Sequence, residues 1–429
     1  MKNLLIIAIA IVLVQCEPLV PQKSTADKQI IFDDHEYESI VGNVKIVPLV
    51  GGKFDFLGNP VVKLNENELL NLNFDLLTDQ FENLSAKIYH CNKDWTKSRL
   101  RDMEFLNEIN NYRITEFDYS VNTVQPYINY RLTLPKPKIS GNYIVSVFRR
   151  SNPDDVLFTR KFLVYQSAIT IDQLVRVSTT VNKREENQQT EFTISYGNLL
   201  VNSPTQDIST TILQNHNWRT AIRNIPPTLI RANEGQMVFQ HLDLTTNFPG
   251  WNEFRWTDLR TLSIAGRNVA KVQKTVTEIS AQLGLDESRA SRRYSQNFQD
   301  INGNYIIENR DPGESTFNTD YVRTRFFLKN ERIAGKVFVT GRFNDWRLED
   351  KNLMRYDETN GVYYTDIYLK QGYYDYRFSV QDSDRPAYFF EGSHFQTEND
   401  YEILVYYRKP GNINDELMGY KQFKSIEDL

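Results

Sequence analysis

Apolar and polar positions alternate with a period of two along most of the chain, which is the signature of strands that bury one face. The pattern is plainest towards the C-terminal end. Tyr363, Thr365, Ile367 and Leu369 fall on one face of one segment, and Tyr374, Tyr376, Phe378 and Val380 on one face of the next. Between them Lys370-Gln371-Gly372 reads as a short hairpin loop in which Gly372 supplies a positive φ. A strand at Lys336 to Thr340, the turn Gly341-Arg342-Phe343-Asn344-Asp345-Trp346, the Asn360-Gly361 turn and a further alternation at Ile403, Val405 and Tyr407 complete a meander. Val322, Thr324, Phe326 and Leu328 open it, so residues 286–410 are expected to form one antiparallel sandwich, and residues 411–429 a partly ordered tail.

The same alternation recurs upstream. Leu70, Leu72, Phe74 and Leu76 alternate with Asn71, Asn73 and Asp75, and Leu84, Ala86, Ile88 and His90 with Ser85, Lys87, Tyr89 and Cys91. Tyr143, Val145 and Val147 follow a Ser-Gly-Asn turn, and Phe158, Phe162 and Val164 follow Asn152-Pro153-Asp154-Asp155. Residues 36–166 are therefore expected to form a first β-sandwich. A second is expected over residues 167–285, from Phe192, Ile194 and Tyr196, from Ile208, Thr210 and Ile212, and from Val238, Gln240, Leu242 and Leu244. Val269, Val272, Val276, Ile279 and Leu283 fit a helical stripe, while their β-branched side chains favour strand. The fold class is all-β: tandem antiparallel β-sandwich domains.

Length and composition fit this division. A chain of 429 residues suggests about three domains. A net charge of −5 with mixed signs gives no nucleic-acid surface. The apolar run Leu4 to Val14 behind Lys2 is too short to span a bilayer and suits a signal-peptide core, so residues 1–16 are expected to direct export. Cys16 stands where a bacterial lipoprotein signal places its acylated cysteine, although Gln15 occupies a position usually held by a small residue. Residues 17–35 read as a polar linker. Cys91 is then a lone thiol on a strand, expected to pack as a small hydrophobe.

Catalytic signatures are missing from the sequence. There is no G-x-S-x-G, Walker loop or H-E-x-x-H, and His35, His90, His216, His241 and His394 lack the spacing of a metal site. Glu391 and Asp366 read as a strand-end and a solvent-facing residue, and Arg289, Arg292 and Arg293 as a solvated basic face. Polar outward positions also exclude a lipid-facing barrel. Neither an enzyme nor a bound cofactor or metal is expected.

Several motifs carry a family resemblance. Ile88-Tyr89-His90-Cys91-Asn92-Lys93-Asp94-Trp95, Asp118-Tyr119-Ser120-Val121-Asn122-Thr123, Tyr127-x-x-Tyr130-x-Leu132 and Ser140-Gly141-Asn142-Tyr143 follow one another in order. The set resembles the N-terminal domain of the type IX secretion system plug protein of Bacteroidota. The likeness runs on through Gln214-Asn215-His216-Asn217-Trp218 and Gly250-Trp251-Asn252-Glu253-Phe254-Arg255, with Trp251 where the family more often has a second glycine. It implies strands over Val269 to Leu283. It also implies a periplasmic protein at the inner face of the outer membrane, which would touch the membrane only if Cys16 carries a lipid and is not lost by ordinary signal cleavage nearby. Its partner would be the outer-membrane translocon barrel, whose periplasmic mouth it closes, with no small-molecule substrate.

The last module, with its G-x-F-N-x-W turn, is similar to early-set Ig-like domains that include starch- and glycogen-binding modules. That likeness implies an alternative function, a glycan-binding surface lipoprotein with Trp346 as the sugar platform. A second platform tryptophan is replaced by Asp384-Arg385-Pro386-Ala387.

Overall fold

The computed structural model describes residues 28–197, 199–292, 294, 299–311 and 318–425. The expected signal segment, Cys16, most of the linker and Arg293 lie outside the described residues. Within them the chain is nearly all β, and α-helix is confined to Asp102–Phe105 and Pro204–Asp207.

The first sandwich packs two sheets. One runs His35–Glu36, Val156–Tyr165, Gly141–Arg149, Leu84–Cys91, Tyr112–Ile114, with Val61–Lys63 added in parallel to Val156–Tyr165. The other runs Lys53–Phe54, Val41–Val50, Leu69–Leu76, Ile128–Thr133, Glu116–Tyr119. Leu70, Leu72, Phe74 and Leu76 meet Ile88, Tyr143, Val145, Phe158 and Phe162 in one core, as the alternation requires. The opposite faces of these strands are buried as well. Asp75 and Cys91 are both fully inaccessible, because each lies under another sandwich.

The second sandwich departs from its expected limits. One sheet runs Thr170–Val177, Asn187–Ser195, Gln236–Phe239, Leu229–Arg231, and the facing sheet runs Ile222–Arg223, Ile208–Gln214, Asp400–Tyr407, Glu416–Lys424. Ile403, Val405 and Tyr407 thus pack with Ile171, Phe192 and Ile212, not with the last module. The segment expected to be a tail supplies an edge strand whose Leu417 is fully buried. A strand's alternation states which face is buried but leaves its partner open, and Tyr401 to Tyr407 find theirs nearly two hundred residues back, in Ile208 to Gln214. The expected alternation at Leu242 and Leu244 also fails. The strand stops at Phe239, and these leucines are 82% and 48% exposed.

The third sandwich is inserted between those halves. Arg255–Asp258, Gly372–Gln381, Tyr305–Ile307 and Lys336–Thr340 form one sheet. Val269–Lys274, Ile279–Glu287, Tyr321–Lys329, Val362–Lys370 and Arg355–Asp357 form the other. Val269 to Leu283 is therefore two antiparallel strands, with Val276 at the exposed tip of the hairpin. Val322, Thr324, Phe326 and Leu328 are all fully buried. Gly372 does not have a positive φ; glycine is needed there because a Cβ would stand 2.3 Å from the carbonyl oxygen of Ile306. Asn360-Gly361 does turn the chain as expected, with Gly361 at φ +65°.

Candidate functional site

Each sandwich touches the other two. Between the first and second, Cys91, Ile144 and Leu163 lie against Leu213, Leu404, Tyr406 and Leu417, and the Tyr406 hydroxyl donates to Oδ1 of Asn142 at 2.9 Å. Between the first and third, Asp75 accepts from Nζ of Lys370 and from the Tyr321 hydroxyl, each at 2.6 Å. Lys370 also stands 4.0 Å from the centre of the Tyr127 ring. The second and third share backbone as well as side chains. The Thr397 hydroxyl donates to the Trp251 carbonyl at 2.9 Å, and a Cβ on Gly250 would stand 1.9 Å from the His394 oxygen.

Where all three meet there is a cavity of about 1110 Å³. On one wall Glu36 pairs with Arg160 and, at 3.1 Å, with Arg347 of the third sandwich. Burial by itself would raise the Glu36 carboxyl, but Arg160, Arg347 and Lys351 outweigh it and hold the group well below the usual carboxylate range. Asp345 goes the other way. Burial pushes it up to about 6 against the attraction of Arg160. Its backbone oxygen accepts from Nε of Arg219 at 3.0 Å, which ties in the second sandwich.

A second buried network lies behind that wall. Glu391 is 1% exposed and accepts from Nε of Arg255 at 3.0 Å and from Arg289 at 2.6 Å. Burial would raise its carboxyl, but the two guanidinium groups bring it down to about 2. Glu391 is therefore a buried structural anion and not a strand-end surface residue, and Arg289 is its counter-ion and not part of a free basic face. The sequence hid this because the two residues lie 102 positions apart and meet only through folding. Asp366 is half-buried and holds Arg325 through two hydrogen bonds at 2.6 Å.

Trp346 is only 6% exposed and sits at φ +58°, a backbone region that large side chains rarely occupy. Its ring packs on Phe254 at 5.7 Å and on the Arg377 guanidinium at 4.6 Å, and Arg377 in turn stacks on Trp251 at 3.5 Å. The face a sugar would need is occupied by protein, so the platform geometry expected of Trp346 is not formed. Burial pushes the Cys91 thiol up to about 12, the state of a packed and unreactive cysteine. His90 lies on the opposite face between Phe105 and Tyr143, and burial lowers it to about 4. Among the described residues no group of three or more His, Cys, Asp or Glu side chains is placed to hold a metal ion.

The site is thus a junction of interlocked β-sandwiches. Residues 43–166 match the family model of the type 9 secretion system plug protein 1st domain, so the first sandwich is similar to that domain. The match supports a type IX secretion-related role. The whole chain is similar to the crystal structure of a hypothetical protein from Parabacteroides merdae ATCC 43184. The two share 27% identity with a TM-score of 0.85, over 92% of this chain and 100% of that one. No curated protein matches. No helix among the described residues is long and apolar enough to cross a membrane.

Proposed function

We propose that this protein is the plug subunit that binds and closes the periplasmic opening of the outer-membrane type IX translocon barrel. The observation that carries the reading is the joining of a first sandwich of plug-family type to two further sandwiches through buried contacts on every side. Blocking a wide aqueous pore calls for a body that keeps its shape under thermal motion. Interfaces dominated by fully buried ion pairs and apolar sheet faces supply that stiffness. Contact with the barrel needs only a standard interface of about 800 Å² per partner, polar enough at its rim to release.

The plug acts in the periplasm at the inner face of the outer membrane, held there by a lipid on Cys16. A tagged copy purified from native membranes, with its partners read by mass spectrometry, should bring down a large outer-membrane barrel. Recovery of the tagged protein without any such barrel would remove the proposal. Cys16→Ala should move the protein from the detergent phase to the aqueous phase on phase partitioning, and unchanged partitioning would rule out the lipid.

A further inference from the structure

Most cations lining the junction are neutralised by contact. Arg160 and Arg347 hold Glu36, Lys161 holds Asp33, and Lys370 holds Asp75. Lys45 and Arg342 are different. Nζ of Lys45 donates to the Tyr305 carbonyl at 2.7 Å and to Oδ1 of Asn304 at 3.3 Å, and it lies 4.1 Å above the Tyr305 ring. Among the described residues no carboxylate pairs with it. The Arg342 guanidinium has no ion pair or hydrogen bond among the described residues, although its backbone N–H donates to Gly303 at 2.8 Å.

These two cations line the same cavity and repel each other. Burial and the Arg342 charge hold the Lys45 ammonium well below its usual range, with Asp55 pulling weakly the other way. Arg342 is also lowered by burial, and it feels Glu402 and Asp400 across the junction. Glu402 is already engaged, by Nδ1 of His216 at 2.9 Å and by the Tyr420 hydroxyl at 2.8 Å. Two partly buried, unneutralised cations lining one cavity are costly unless an anion lies between them. The cavity beside them is about 1110 Å³, enough for a metabolite-sized body.

We propose that the three-sandwich junction binds a small oxyanion-bearing molecule, its carboxylate or phosphate group held between Lys45 and Arg342 and its body in the adjoining cavity. A guanidinium with its donors free and an ammonium with one donor left suit either group. The site is independent of the barrel contact proposed above.

The test is thermal unfolding of the full mature chain in sodium phosphate and, separately, in sodium benzoate, each against sodium chloride at matched ionic strength. At least one oxyanion should give a saturable rise in Tm of roughly 2–4 °C. A response to phosphate alone assigns a phosphate ester or phosphate ion, and a response to benzoate alone assigns a carboxylate. Arg342→Gln should abolish the rise while leaving Tm in chloride at or above that of the parent, because its side chain makes no bond to lose. Lys45→Met is the second variant, also expected to lose the response. No rise over chloride for either oxyanion, or a rise that persists in Arg342→Gln, would overturn the proposal.

Discussion

Trp95 of the first sandwich meets Trp218 of the second edge-on, with ring centres 4.9 Å apart and planes at 89°. Nζ of Lys161 lies 4.9 Å from one ring and 5.8 Å from the other. Each tryptophan ends one of the motifs that carry the family resemblance. Trp251 and Trp346 repeat the arrangement between the later motifs, this time with Arg377 between them. The motifs are therefore the places where separately folded sheets are locked to one another, and the predictions follow from that.

Trp218→Ala removes one half of the first clamp. Truncating a buried tryptophan costs about 3–5 kcal/mol where the site cannot collapse. The loss falls between the first two sandwiches, so calorimetry should resolve the parent's cooperative transition into two in the variant. A variant that still melts in one transition at the parent temperature would count against locking at this contact.

Asp75 and Lys370 form a pair that is 0% and 5% exposed. Asp75→Asn leaves the ammonium without its counter-charge and should cost about 3–5 kcal/mol in urea unfolding. Asp75→Asn with Lys370→Met removes both charges and should recover most of that loss. Equal instability of single and double variants would show that the pair is not the cause.

Glu391 sets an acid limit. Its ordinary value is 4.5 and its folded value about 2, so the stability it contributes is present above pH 4.5 and is lost as the pH falls through 2. The window corresponds to something on the order of 3 kcal/mol. Glu391→Gln should be less stable at pH 7 and should lose less on acidification than the parent, as read by denaturant midpoints across pH 2–5.

Glu253 works in the opposite sense. Burial, and then the Asp300 charge, raise it from 4.5 to about 7, and Asp300 and Asp375 beside it are raised as well. Its contribution is full below pH 4.5 and fades as the pH rises through 7. Stability should therefore decline between pH 5 and 8, and Glu253→Gln should flatten that decline. An unchanged slope in the variant would place the titration elsewhere.

The period-two pattern was enough to identify the strands, the all-β class and the core faces, because burying one face of a strand needs nothing beyond its own sequence. Leu72, Phe74 and Ile88, or Phe326 and Phe378, are apolar in register and buried as expected. The motifs also pointed to the plug-domain likeness that the match over residues 43–166 bears out. The junction was much less legible. Asp75 alternates with the core positions and Glu391 reads as a strand-end residue, and nothing in their neighbours, or in those of Glu36, announces Lys370, Arg289 or Arg347.

What the sequence alone determined, then, was the set of strands, the side each one hides and the likeness of the first domain to a plug domain. Only tertiary structure decided that Asp400–Tyr407 crosses back to Ile208–Gln214, that Trp346 turns inward, and that charged residues distant along the chain are buried together. The reason is physical. Alternation is written within a single strand, whereas strand partners and counter-ions depend on free energies summed over segments that meet only once the chain has folded.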